Sequence, residues 1–295
     1  MTSIKKISIN NTLLSSYITK RIKEATVILC FRILLQDIIE NGRESSMTKS
    51  QIEKQFNKKH YLYGISRFRT DYVLRQAGFD HNAIDQKNDN FFIKPSFLQG
   101  LSKKDLTQIA LYIDAYWNQI SIEQKQLLDE IESHLLDNGN TEGNIEFIKE
   151  MLLTRETRKK GQCFEVTSFS ILKIYLRNLG FELNRFSTTY SNDGGIDFAA
   201  QLAVYQVTTK LDDKKFEEDL NKVPLKERVM VFKETTGTFD HNKLKHELVL
   251  DYISIEELLN FLEYMVRKNA ERNIRDILEV MLHEFQREYY QSELF

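Results

Sequence analysis

Ser191-Asn192-Asp193-Gly194-Gly195-Ile196-Asp197-Phe198, followed by Leu202-Ala203-Val204-Tyr205-Gln206-Val207-Thr208-Thr209-Lys210, decides how the second half of this chain folds. The Gly-Gly pair permits a tight turn with positive φ. Residues 196–200 and 202–209 then read as two neighbouring strands. Asp197 has poor strand propensity and follows an apolar residue, so the turn delivers a carboxylate onto a short strand. Gln206, Thr208 and Lys210 share one strand face at a period of two.

Upstream, residues 162–179 read as a helix that stops at Gly180. Phe169, Leu172 and Leu176 lie four, seven and eleven residues after Glu165, so this acid sits on the apolar stripe. Burying a carboxylate without a partner is costly. Glu165 therefore has to face a cation, a donor or a wet cleft. Downstream come a helix over 213–222 and strands over 229–232 and 248–253, with a further strand at 181–186. Ser254-Ile255-Glu256-Glu257 reads as the cap of a helix, and 270–291 as another helix. The alternation predicts an α/β layer domain with a mixed sheet.

Gly161-Gln162-Cys163-Phe164-Glu165, Leu179-Gly180-Phe181-Glu182, Asp193-Gly194-Gly195-Ile196-Asp197 and Gln206-Val207-Thr208-Thr209-Lys210 occur in this order. Together they resemble the PD-(D/E)xK nuclease superfamily, in its Mrr-like and type II restriction endonuclease branches, over about residues 161–260. The resemblance implies a divalent-metal nuclease. Glu165 and Asp197 match its metal-binding acids, and Gln206 falls where the family has Glu or Gln. Magnesium suits such a site, because it takes oxygen ligands, keeps several waters and needs only one or two carboxylates beside a phosphate. The pattern departs at Thr208, where the family places a lysine. Lys210 is one same-face step along the strand, about 7 Å further, and Lys173 is a second source of an ammonium group.

The first half reads mostly helical, with a long amphipathic segment over 18–41 that stops at Asn41-Gly42. Thr48 and Gln51 have the spacing of a capping box. A helix follows over 64–76, then two short strands around a polar turn within 83–93. Helix, short helix, longer helix and hairpin is an order that resembles a winged helix-turn-helix over about 20–98. From Arg43 to Arg75 there are eight basic residues against Glu44, Glu53 and Asp71, a local charge of 8 − 3 = +5 in a chain of net −2. Lys58, Lys59, Tyr61, Tyr63, Arg67 and Arg69 stand at the start of the recognition helix that the resemblance implies, where they would meet bases and phosphates.

Composition bounds the rest. With 295 residues, 41% hydrophobic and 28% charged, the chain can bury a real core. Eleven glycines and two prolines exclude collagen-like and Pro-rich classes. Cys30 and Cys163 form neither a CxxC pair nor a disulfide framework. The apolar run from Val27 to Leu35 is interrupted by Arg32 and is too short to span a membrane. The expectation is an α/β (α+β overall) protein: winged-helix-like over 1–100, connecting helices over 101–158, and a restriction-endonuclease-like mixed-sheet domain over 159–295. It would be cytoplasmic, act on double-stranded DNA with Mg2+, and cut both strands as a homodimer. The alternative is a catalytically degenerate nuclease fold that serves as a DNA-binding or assembly protein or a transcriptional regulator.

Overall fold

The structure is a computed structural model and describes residues 11–22, 24–57, 77–79, 82–137, 139–156, 161–186, 196–201, 203–214, 217, 227–237, 239 and 250–290. It mixes helix and sheet and divides into two compact units, residues 1–126 with 287–295, and residues 127–286.

Unit 1 opens with α1 (Thr12–Arg21) and α2 (Ala25–Asn41), where periodicity predicts one helix over 18–41. Asn11 starts α1 by accepting the Leu14 N–H on Oδ1 at 2.9 Å. The Ile22 N–H closes α1 on Ile18 O, and the Glu24 N–H turns back to Arg21 O. Ile18, Ile22 and Val27 are all buried, so the apolar pattern runs across the break and conceals it. Arg32 is satisfied rather than exposed. Its Nε and Nη2 donate to the two oxygens of Asp114 at 3.1 and 2.7 Å, and Nη1 donates to Gln36 Oε1 at 2.9 Å.

β1 (Met47–Thr48) runs into α3 (Lys49–Asn57). The capping box forms as expected: the Thr48 N–H donates to Gln51 Oε1 at 2.8 Å, and the Gln51 N–H to Thr48 Oγ1 at 3.3 Å. β2 (Ile84–Lys87) and β3 (Asn90–Ile93) make the expected hairpin. Its turn holds Asn88 and Asp89 at φ +50° and +61°, values these two residue types tolerate best after glycine. β1 pairs antiparallel with β3, Met47 opposite Phe91, giving the sheet order β1-β3-β2. The expected helix over 64–76 lies outside the described residues, as do Lys58, Lys59, Tyr61, Tyr63, Arg67 and Arg69. Phe31, Leu35, Ile52, Ile84 and Ile93 are buried in one core beneath these elements.

After α4 (Pro95–Leu98) comes α5 (Lys103–Leu136). Ser102 and Asp105 box its start, the Ser102 N–H and hydroxyl both donating to Asp105 Oδ2 at 2.7 and 2.6 Å. These bonds hold the Asp105 carboxyl below the usual carboxylate range. The compact units part between Gln126 and Leu127, inside α5. A continuous helix offers none of the linker residues that mark a boundary in sequence.

Unit 2 continues with α6 (Thr141–Leu153) and α7 (Gln162–Asn178). Gly161 precedes α7 at φ +81°, and a Cβ there would stand 3.2 Å from Thr209 Cγ2. Glycine takes this positive φ without strain and lets the helix begin close to the strand without displacing the Thr209 methyl. Five strands follow: β4 (Asn184–Arg185), β5 (Phe198–Ala199), β6 (Ala203–Leu211), β7 (Glu227–Thr235) and β8 (Leu250–Ser254). They pair in the order β4-β5-β6-β7-β8. The first three form an antiparallel meander, and β7 and β8 run parallel to β6. β4 and β5 are shorter than the apolar runs that predict them. Most of the expected helix over 213–222 lies outside the described residues.

α8 (Ile255–Tyr290) starts from the expected box, the Ser254 N–H donating to Glu257 Oε2 at 2.6 Å. It breaks at Asn269, whose φ of −163° and ψ of 89° are not helical. Asn269 Oδ1 accepts the Arg272 N–H at 3.2 Å and so caps the second half. The expected separate helix from 270 is this half. Asn269→Ala should cost about 1 kcal/mol, read as a lower urea midpoint at unchanged m-value. No loss would show that the kink is capped otherwise. Among the described residues no helix is long and apolar enough to cross a membrane.

Candidate functional site

Phe198 on β5 stands opposite Arg185 on β4 and Tyr205 on β6. Its ring lies 5.0 Å from Phe169 of α7, so this face of the sheet is the one α7 covers. Alternation along β6 turns Gln206, next to Tyr205, to the other face. Asp197, one residue before β5, reaches across to it: Gln206 Nε2 donates to Asp197 Oδ2 at 3.1 Å. The same oxygen accepts the Val207 backbone N–H at 2.7 Å. The meander thus brings Asp197 and Gln206 together, and the Gly-Gly turn before them lies outside the described residues.

Glu165 goes elsewhere. Its Oε1 accepts from Arg185 Nη2 at 2.6 Å and Nε at 3.1 Å. Arg185 Nη1 donates to Glu284 Oε2 at 3.1 Å. The Arg185 side chain is fully buried, that of Glu284 is 3% exposed and that of Glu165 15%. The acid on the apolar stripe has found a cation.

Thr208 is buried, and its hydroxyl donates to Lys210 O at 2.8 Å. Lys210 projects to solvent and pairs with Glu234, its neighbour in register on β7, at 3.2 Å. Lys173 lies 5.2 Å over the Phe169 ring and lines an open groove with Arg177, Asp276, Glu279, Val280 and His283. Neither lysine is joined to Asp197 or Gln206.

Nothing in the known protein families, curated proteins or solved structures matches this chain.

The donor chemistry fits magnesium poorly. One of the two expected acids is neutralised by a guanidinium, and a fixed positive charge beside a carboxylate repels a second cation. Asp197 Oδ2 is already turned to two N–H donors. Among the described residues no three His, Cys, Asp or Glu side chains cluster as metal ligands do.

Arg185 and Glu284 were not singled out from sequence. Glu284 carries the same signal that exposed Glu165, since it follows the buried Ile277 and Met281 by seven and three residues. An acid on the apolar stripe of each helix calls for a cation between them, and an arginine in a short strand is a ready one.

Proposed function

We propose that this chain is a duplex-DNA-binding protein whose second unit is a nuclease-like domain that holds DNA without cutting it. The observation that carries the reading is the sheet β1-β3-β2. β1, between α2 and α3, pairs with β3, the second strand of the following hairpin, and this small sheet beside the helices fits the helix-then-hairpin order on which the winged-helix resemblance rests. The +5 charge between Arg43 and Arg75 falls on that unit. The engagement of Glu165 by the buried Arg185 supports the non-cutting form. A homodimer would match the two-fold symmetry of duplex sites. A cytoplasmic setting suits the two buried thiols, Cys30 and Cys163.

The test is binding of a fluorescent duplex across a salt series. Arg67→Ala with Arg69→Ala should weaken binding about tenfold at physiological salt and flatten the log K against log salt slope by about 2. Unchanged affinity and slope would remove the DNA reading from this unit.

The second reading is the magnesium-dependent endonuclease, a homodimeric type II restriction enzyme. What favours it is the pairing of Asp197 with Gln206 across β5 and β6, the part of the family pattern that comes together among the described residues. Asp197-dependent fragments from a plasmid would establish it.

A further inference from the structure

Two carboxylates from different helices, Glu165 on α7 and Glu284 on α8, converge on one guanidinium from β4. Two acids held together away from bulk water need a positive charge between them, and a metal ion or a basic side chain can supply it. Here the choice is visible. The Arg185 guanidinium spends Nε and Nη2 on Glu165 and Nη1 on Glu284, at 3.1, 2.6 and 3.1 Å, with none of its side chain reaching solvent. A planar fork with donors on two edges can hold two carboxylates at once, which an ammonium group does less well. His283 also faces this cluster, its Nδ1 3.3 Å from Glu284 Oε1 while its ring is largely exposed.

We infer that Arg185 stands in for a divalent cation. It neutralises an acid pair that would otherwise recruit metal, and so it makes unit 2 complete without one. The inference concerns the ion content of unit 2 and does not depend on whether the chain binds DNA. It reverses what the resemblance implies for Glu165, because the acid is kept while its cation is supplied from within the chain. It also assigns Glu284 as the second acid of the pair, in place of Asp197.

The test uses the full chain, with Mn2+ as the probe, and reads thermal unfolding and the free-Mn2+ signal in electron paramagnetic resonance. The wild type should melt at the same temperature in chelator and in about 5 mM Mn2+, since an ion that does not bind the native state cannot raise its stability. Arg185→Ala should melt about 10 °C lower in chelator, because it takes the guanidinium from one buried and one half-buried acid. Mn2+ should recover a large part of that shift and bind at one ion per chain, and Glu165→Gln in the same chain should abolish the recovery. Stabilisation of the wild type by Mn2+ that Glu165→Gln removes would overturn the inference. An Arg185→Ala chain that melts alike with and without Mn2+ would do the same. Where Arg185→Ala alone does not fold, the chain carrying Arg185→Met, Glu165→Gln and Glu284→Gln decides. If it folds and ignores Mn2+, the charge balance is what Arg185 supplies, and the inference stands. If it fails to fold in either condition, the cluster is held by shape, and the inference falls. DNA affinity of the wild type, measured alongside, reports separately on the proposed function.

Discussion

Phe169→Ala will cost unit 2 about 3–5 kcal/mol, the range for removing a large aromatic ring from a packed core. Phe169 is 1% exposed and stacks obliquely on Phe198, which is itself fully buried. Phe198 sits on a strand of only two residues, so backbone pairing contributes little there and the ring contact fixes where β5 lies. The cavity left by the missing ring borders both the helix and the sheet, and neither can close over it without shifting the other. The chain offers a convenient way to localise the effect. Its single tryptophan, Trp117, is buried in the core of unit 1, whereas circular dichroism follows both units. In urea, the fraction of the helical signal that belongs to unit 2 should lose its midpoint by about 2 M, from an m-value of about 2 kcal/mol/M. The Trp117 fluorescence transition should keep its midpoint. A joint shift of both signals would mean that the units unfold as one, and an unshifted helical signal would mean that Phe169 is not where the core of unit 2 is built.

Local chemistry made much of this fold legible. The Thr48–Gln51 and Ser254–Glu257 boxes and the Asn88-Asp89 hairpin rest on short-range pairings that a few residues specify completely. Gly161 could be read as the start of a helix, but not as the point where that helix meets Thr209. The break between α1 and α2 was hidden because buried residues continue through it. The unit boundary was hidden because α5 continues through it. For the site, periodicity correctly marked Glu165 as an acid facing inward. It could not say what answers that charge, since a metal ion and an arginine impose the same pattern on the helix. The answer comes from Arg185, 20 residues along the chain, and Glu284, 99 residues beyond that. Pairings at such separations leave no local period to read.

Asp197 is where the two functional readings diverge most. In the non-cutting reading its carboxylate is a clasp: Oδ2 joins the Val207 backbone N–H and the Gln206 amide, so it fixes the end of β5 against β6. Charge-assisted bonds of this kind each contribute about 1.5–3 kcal/mol. Asp197→Ala removes both bonds and should therefore lower the stability of unit 2 by about 3 kcal/mol, and Asp197→Asn, which keeps an acceptor oxygen, should lose less. DNA affinity should be the same for all three proteins under conditions where each is folded. Supercoiled plasmid in about 10 mM Mg2+ should stay supercoiled with the wild type, because Glu165 is held by Arg185 and Thr208 is buried against Lys210 O. In the cutting reading the order of effects reverses. The wild type gives discrete fragments, Asp197→Asn abolishes them, and it does so with its stability nearly intact. The asparagine variant is the decisive one, since it separates loss of charge from loss of the clasp. Discrete fragments that vanish in folded Asp197→Asn would end the non-cutting proposal.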